Sequence, residues 1–98
     1  MWLETPTNPT MQVLDIEELS AIAHRTPNVI VVVDNTFLSP YFQRPLELGA
    51  DISLHSVSKY LNGHSDVVRA AVAASQPARL PSSELTHAAL SRSWASLR

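Results

Sequence analysis

The sequence contains no cysteine, which excludes disulfide bonds and thiolate metal sites. Long apolar runs are also missing, because no stretch approaches the roughly 20 residues that a membrane-spanning helix needs. The chain has 7 basic and 9 acidic residues and a net charge of −2, so it offers no basic field for nucleic acid or an anionic membrane. These absences predict a soluble globular chain.

Lysine is the scarcest basic residue, because Lys59 stands alone and six arginines carry the rest of the basic charge. It lies in the stretch SVSKYLNGHSDVV, residues 56–68, between small hydroxyl residues and a Gly-His pair. A protein that uses lysine only to keep its surface soluble normally has several lysines spread over that surface. A solvated surface charge nevertheless remains the alternative role for Lys59. A single lysine in this setting suggests an amine used for its reactivity.

The organisation of the chain changes once along its 98 residues, which allow at most one small domain. Residues 1–74 are periodic and punctuated by turn residues, and we expect them to form part of a domain. Residues 75–98 are rich in Ser, Ala, Leu and Arg and show no strand pattern. We expect this segment to be a divergent, weakly ordered tail.

The order of predicted segments is that of an α/β protein with a sheet and flanking helices. Asp15 with Glu18 has the spacing of a capping box and predicts a helix that ends near Pro27. The β-branched run Val29–Val33 is typical of a strand covered on both faces. The other predicted segments are an apolar lead at 2–4, a loop at 35–45, helical turns at 45–49, a strand at 51–56 and a candidate strand at 67–74.

The residue types around Lys59 suit one cofactor, pyridoxal phosphate. An unprotonated lysine amine condenses with an aldehyde to form a Schiff base. Pyridoxal phosphate also needs a carboxylate against its pyridine nitrogen and donors for its phosphate. Asp34 and Ser56 each follow a predicted strand, where α/β sheets place their ligand crevice. Asp34 is therefore the candidate carboxylate, Ser56 and Ser58 are candidate phosphate donors, and Asn8 is a candidate donor to the phenolic oxygen.

Each candidate also has an ordinary structural alternative. An aspartate after a strand is often a turn residue or helix cap, and Asn8 lies in a loop rich in threonine and proline. The run GHSD, residues 63–66, is not a catalytic triad, because the side chains of adjacent residues diverge. No metal site is predicted, since no helical or loop spacing supports one among Asp34, Asp51, His55, His64 and Asp66.

Three motifs in register resemble one family: ETPTNPT, VVVDNTFLSPYFQRPLELGADI and SKYLNGHSDVV, within a resemblance that runs from about residue 2 to residue 68. They resemble the cysteine/methionine-metabolism family of pyridoxal-phosphate-dependent enzymes, and most of all its γ-lyases that cleave cystathionine. The resemblance implies a fragment of the large cofactor-binding domain of a fold-type I (aspartate aminotransferase-like) enzyme. That domain has a mostly parallel sheet with flanking helices.

The resemblance also implies a role for each site residue. Lys59 would form the Schiff base and move protons, and Asp34 would pair with the pyridinium nitrogen. Thr36 would lie near Asp34 against the ring. The phosphate would be bound by Ser56 and Ser58, and the phenolic oxygen by Asn8. The implied reaction converts cystathionine to cysteine, 2-oxobutanoate and ammonia, in a cytoplasmic homotetramer that acts on sulfur amino acids.

The sequence differs from the family pattern at several positions, and these differences leave alternative functions open. Ser58 stands where threonine is usual, Val57 stands where a smaller residue is usual, and the tail resembles nothing in the family. Because family members are several times longer, we expect the isolated chain to be a truncated, inactive form. The alternatives are a cystathionine γ-synthase, a β-lyase, a methionine γ-lyase, or a non-catalytic isoform that binds the full-length enzyme.

Overall fold

The computed structural model describes residues 1–66 and 68–75. Within them the chain forms β1 (Trp2–Glu4), α1 (Ile16–Ala23), β2 (Val32–Asp34), α2 (Ser39–Phe42), β3 (Ile52–Ser56) and β4 (Ala70–Ala74). Neither helix in this described part is long and apolar enough to cross a membrane. Apart from Ser75, the predicted tail at 75–98 lies outside the described residues.

The strands form one sheet whose spatial order follows the order of the chain. β1, β2 and β3 are parallel neighbours, and β4 runs antiparallel to β3. The predicted α/β class with a mostly parallel sheet is therefore confirmed. Glu4, Asp34 and Leu54 lie side by side in this register. The carboxyl ends of the three parallel strands consequently share one edge of the sheet.

One face of the sheet carries the hydrophobic core, whose buried members are Leu3, Ile16, Val31, Val33 and Ala50. Side chains alternate between the two faces of a strand. Val33 is therefore buried, whereas its neighbours Val32 and Asp34 on the opposite face are only half-buried. The sequence predicts a strand that is buried on both faces. In the described residues only the face of β2 that carries Val33 is fully buried.

Helix α1 begins where the sequence predicts. The Asp15 side chain accepts a hydrogen bond from the Glu18 backbone N–H over 2.9 Å, which is the bond of an N-cap. Ile16 is 2 % exposed, so the first turn anchors the helix on the core. The helix ends at Ala23, ahead of the predicted end near Pro27.

Other segment boundaries differ from the predictions. The apolar lead at 2–4 is strand β1, and the predicted loop at 35–45 contains helix α2. Residues 45–49 form successive turns rather than a helix, and β2 begins at Val32 rather than Val29. The three residues Val32–Asp34 are those that pair with both β1 and β3.

A buried carboxylate holds the amino-terminal edge of the sheet. Asp51 is 2 % exposed. Its Oδ2 accepts a hydrogen bond from the Val31 backbone N–H over 2.8 Å and lies 2.8 Å from Nε2 of His24. This carboxylate joins the end of α1 to the starts of β2 and β3, at the edge opposite to the candidate site.

Candidate functional site

Two of the predicted site residues end neighbouring strands at the carboxyl edge of the sheet. Asp34 is the last residue of β2, and Ser56 is the last residue of β3. Asp34 is in register with Leu54, and Ser56 comes two residues after Leu54 in β3. Because residues two apart in a strand point to the same face, Asp34 and Ser56 share one face of the sheet. Both side chains are half-buried. The sheet therefore brings a carboxylate and a hydroxyl to one face of this edge.

Thr36 fixes the orientation of the Asp34 carboxylate. The Thr36 hydroxyl donates to Oδ1 of Asp34 over 2.6 Å, and the Thr36 backbone N–H donates to the same oxygen over 3.0 Å. Oδ2 of Asp34 has no hydrogen-bond partner within residues 1–66 and 68–75. One carboxylate oxygen is thus held by the protein, and the other is available to a ligand.

The same hydroxyl joins the two strand ends. Thr36 Oγ1 accepts a hydrogen bond from the Ser56 backbone N–H over 2.9 Å while it donates to Asp34. A threonine hydroxyl has one hydrogen to donate and two lone pairs, so it can make both bonds at once. The result is a continuous polar link from the end of β3 to the carboxylate at the end of β2.

Lys59 lies in a series of turns at residues 57–62, directly after β3, which we call the Lys59 turn. Its backbone N–H donates to the Ser56 carbonyl over 3.1 Å, and its carbonyl accepts from the Gly63 N–H over 2.9 Å. Gly63 has φ +68°, a left-handed conformation that glycine adopts without strain. The Lys59 side chain is exposed, and its amine makes no hydrogen bond or ion pair with the described residues. The backbone of the turn is fixed, and the amine is available for chemistry.

An aromatic contact also joins the Lys59 turn to the loop after β2. Phe37 follows Thr36 in the chain, and Tyr60 follows Lys59. Their ring centroids lie 6.2 Å apart, with the ring planes inclined by 50°. This separation is within the range of favourable aromatic pairs. The two segments that carry the candidate amine and the candidate carboxylate therefore touch through their neighbouring rings.

The remaining predicted residues are placed differently. The Ser58 hydroxyl accepts a hydrogen bond from the Arg69 backbone N–H over 2.8 Å and donates to the Arg69 carbonyl over 3.2 Å. The Ser56 hydroxyl has no hydrogen-bond partner in the described part of the chain. Asn8 is exposed in the loop after β1, and its amide makes no hydrogen bond to any described residue. Hydrogen bonds of the Thr36 hydroxyl join Asp34, Thr36 and Ser56, and the Lys59 backbone N–H is bonded to the Ser56 carbonyl.

Two amides beside the site were missed in the sequence. Asn35 is 0 % exposed, and its Nδ2 donates to the Gln43 carbonyl over 2.7 Å. In return Nε2 of Gln43 donates to Oδ1 of Asn35 over 2.8 Å and to the Thr5 carbonyl over 3.1 Å. The pair connects the loop after β2 to the end of β1. Two features of the sequence could have pointed to this pair. Asn35 directly follows a predicted strand, and Gln43 lies within the largely apolar stretch SPYFQRP.

His55 lies on the face of β3 opposite to Ser56 and is 7 % exposed. Its Nε2 is 3.0 Å from the Ser53 hydroxyl, and its Nδ1 has no hydrogen-bond partner among the described residues. Burial lowers the pKa of the His55 imidazole, although the negative charge of Asp34 and the Asn35 backbone act in the opposite direction. Burial behind the site therefore favours the neutral form of this imidazole.

Comparison with known proteins identifies the family. The model of the family described as Cys/Met metabolism PLP-dependent enzymes matches residues 1–91. The chain belongs to this family. The resemblance inferred from the three motifs is thus confirmed, and the match continues beyond the last of them.

Two similar proteins of known function are lyases. Over 68 residues, or 69% of this chain, the sequence is 66% identical to cystathionine gamma-lyase of Homo sapiens. Over the same length it is 59% identical to L-methionine gamma-lyase of Fusobacterium nucleatum subsp. polymorphum. The chain spans only 17% of the length of either relative.

Solved structures of the family share the fold. Cystathionine gamma-lyase from Lactobacillus plantarum, complexed with L-serine, matches with a TM-score of 0.75 and 49% identity, over 79% of this chain and 20% of that one. Cystathionine gamma synthase from Xanthomonas oryzae pv. oryzae, in complex with cystathionine, matches with a TM-score of 0.74 and 49% identity, over 76% and 19%. The described sheet is thus a part of a larger known architecture.

The residues of the site fit the cofactor of this family. Pyridoxal phosphate needs a carboxylate for its ring nitrogen, an amine for its aldehyde and donors for its phosphate. The free oxygen of Asp34, the Ser56 hydroxyl and the exposed Lys59 amine supply one group of each kind. Ser58 fits less directly, because its hydroxyl already pairs with the Arg69 backbone.

Proposed function

We propose that Lys59, Asp34, Thr36, Ser56, Ser58 and Asn8 form the pyridoxal-phosphate site of a carbon–sulfur lyase. The observation that carries the proposal is the Asp34 carboxylate. Its Oδ1 is held by Thr36, and its Oδ2 has no partner among the described residues, at the edge where the Lys59 turn begins. Membership in a family of pyridoxal-phosphate-dependent enzymes supports the same conclusion.

The roles of the central residues follow from their chemistry. When bound, pyridoxal phosphate supplies an electron-withdrawing ring that eases removal of a proton from the substrate Cα. Oδ2 of Asp34 would accept the N–H of the ring nitrogen, and Thr36 would keep that oxygen oriented. The Lys59 amine would anchor the aldehyde carbon and, once released by the substrate, would take the proton from Cα.

The outer residues would hold the ends of the cofactor. The Ser56 hydroxyl would donate to the phosphate directly. Ser58 would exchange its bond with the Arg69 carbonyl, 3.2 Å long, for a bond to the phosphate. The Asn8 amide would donate to the phenolic oxygen. Gln43 supports that role, because its bond to the Thr5 carbonyl ties the start of the Asn8 loop to the loop after β2.

The substrate that we propose is cystathionine, which with one water molecule gives cysteine, 2-oxobutanoate and ammonia. The 66% identity to human cystathionine gamma-lyase supports this choice. Methionine is the second candidate, because an L-methionine gamma-lyase is 59% identical over the same length. A γ-synthase is a further candidate, because a cystathionine gamma synthase of known structure is 49% identical, and a β-lyase activity stays an alternative from the sequence motifs.

The state of the isolated 98-residue chain is a separate part of the proposal. We expect it to bind the cofactor without turnover, because one face of its sheet is incompletely covered in the described residues. The alternative from another class is a non-catalytic chain that binds a full-length relative through β1 or β4, the outer strands of the described sheet. The homotetramer, the cytoplasmic location and the division at residues 74 and 75 remain predictions.

Equilibrium dialysis tests the cofactor assignment. We expect the chain to retain pyridoxal phosphate more tightly than pyridoxine phosphate, which has an alcohol in place of the aldehyde. Lys59→Ala should abolish this preference, because the aldehyde then has no amine to meet. Equal retention of the two compounds by the unaltered chain would contradict the proposal.

Product analysis tests the predicted inactivity of the isolated chain. The chain is incubated with pyridoxal phosphate and either cystathionine or methionine, and 2-oxobutanoate, cysteine and methanethiol are measured. We expect no release above the Lys59→Ala variant. Release above that control would overturn the predicted inactivity, and the sulfur product would then identify the substrate. Co-purification with a full-length relative would support the non-catalytic alternative.

A further inference from the structure

We propose that the aromatic contact between Phe37 and Tyr60 positions the Lys59 amine relative to Asp34, a role that rests on the function proposed above. Each ring is adjacent in the chain to a residue of the site, since Phe37 follows Thr36 and Tyr60 follows Lys59. The rings lie 6.2 Å apart, which makes them a contact between the two loops rather than within either.

Two attachments hold the Lys59 turn against the loop after β2. The first is at the base of the turn, where the Ser56 backbone N–H donates to Thr36 Oγ1 over 2.9 Å. The second is the contact of the Phe37 and Tyr60 rings. A turn held at one point can still rotate about that point, whereas two separated attachments fix its inclination. The ring contact therefore sets the direction in which the Lys59 side chain leaves the turn.

The other contacts of the turn do not reach the loop after β2. Ser58 pairs with the backbone of Arg69, just before β4, through its hydroxyl and its backbone N–H. Asn62 N–H donates to the Val57 carbonyl over 2.9 Å, and Gly63 N–H donates to the Lys59 carbonyl over 2.9 Å. Both bonds close within the turn itself. The Tyr60 hydroxyl makes no hydrogen bond with the described residues, and the residue is 60% exposed. Its ring contact with Phe37 is thus the interaction through which Tyr60 can act.

A second aromatic pair provides a matched control. Tyr41 and Phe42 are adjacent exposed residues of α2, with ring centroids 4.9 Å apart and planes at 89°. Their contact lies within one helix and does not join two loops. Phe42→Leu therefore removes an aromatic ring without touching the link between Phe37 and Tyr60.

The test compares Phe37→Leu, Tyr60→Leu, Tyr60→Phe and Phe42→Leu in the full 98-residue chain. The first readout is hydrogen exchange of the backbone amides at 59–63 without cofactor. We expect Phe37→Leu and Tyr60→Leu to accelerate this exchange about two- to tenfold, the change in population that losing one aromatic pair produces. Tyr60→Phe keeps the ring and Phe42→Leu lies elsewhere, so both should exchange as the unaltered chain does.

The second readout is the share of reductively trapped pyridoxyl groups on Lys59 compared with the N-terminal amine. Phe37→Leu and Tyr60→Leu should lower this share, and Tyr60→Phe should retain it. Unchanged exchange and labelling in Tyr60→Leu would overturn the positioning role even if Phe37→Leu failed to fold. An equal response in Phe42→Leu would overturn it as well. Accelerated exchange in Phe37→Leu and Tyr60→Leu, together with an unaltered chain that shows no labelling preference for Lys59, would support the loop contact and count against the proposed function alone.

Discussion

Thr36 donates its hydroxyl hydrogen to Oδ1 of Asp34 over 2.6 Å. This bond decides which oxygen of the carboxylate is left for a ligand, because the Thr36 backbone N–H occupies the same Oδ1. The hydroxyl also receives the Ser56 N–H, so the carboxylate is oriented by the neighbouring strand as well as by its own loop. A threonine side chain thus sets the geometry of the candidate cofactor site.

Replacing Thr36 by valine should separate this role from simple packing. Thr36→Val keeps the shape but leaves the Ser56 N–H without its acceptor and Asp34 with only the backbone N–H of residue 36 as a donor. Hydrogen bonds to charged groups contribute about 1.5–3 kcal/mol, and we expect the lower end here because Asp34 is only half-buried. The measurement is the free energy of unfolding in urea. Thr36→Ser keeps the hydroxyl and should stay within about 1 kcal/mol of the unaltered chain. Equal losses in the valine and serine variants would contradict the role of the hydroxyl.

The buried amide pair should matter more for stability than its position in a loop suggests. Gln43→Met has nearly the same shape but leaves Oδ1 of the fully buried Asn35 without its donor, while Asn35 Nδ2 keeps its bond to the backbone carbonyl of residue 43. A buried polar group left unsatisfied costs about 1–3 kcal/mol. The control is Gln12→Met, since Gln12 is exposed and its side chain makes no hydrogen bond with the described residues. Urea unfolding should show the loss at Gln43 only. Equal stability of the two variants would mean that the pair contributes nothing.

The contrast between Asp34 and Asn35 shows what the sequence could predict. Asp34 was found because a carboxylate directly after a β-branched run points to the ligand edge of an α/β sheet. Asn35 was missed because its partner Gln43 comes from another part of the loop, and sequence patterns do not show which polar groups will meet. Local signals also located the cap at Asp15 correctly. They could not place the start of β2, since that depends on which of its residues pair with the neighbouring strands β1 and β3.

The buried His55 should make stability depend on pH. Its pKa in the folded chain is lowered from 6.5, so the unfolded chain binds the proton more readily. Above pH 6.5 the imidazole is neutral in both states and the free energy of unfolding is not reduced by His55. As the pH falls from 6.5 through the lowered pKa, the unfolded chain takes up the proton first, and the free energy of unfolding decreases. Urea unfolding at a series of pH values on both sides of 6.5 should show a steeper loss for the unaltered chain than for His55→Gln. Parallel curves for the two proteins would show that His55 does not cause the dependence.

The unique lysine allows the most direct test of the proposed cofactor site. The chain is incubated with pyridoxal phosphate and reduced with borohydride, and the pyridoxyl group is mapped by mass spectrometry, with the N-terminal amine as internal reference. We expect near-stoichiometric labelling of Lys59 that weakens in Asp34→Asn. The matched control is Asp15→Asn. It makes the same change of charge at the N-cap of α1, outside the proposed site, and asparagine is also a good helix cap. Labelling of Lys59 no greater than that of the N-terminal amine, or equal in the two aspartate variants, would mean that Lys59 and Asp34 do not form a cofactor site in this chain.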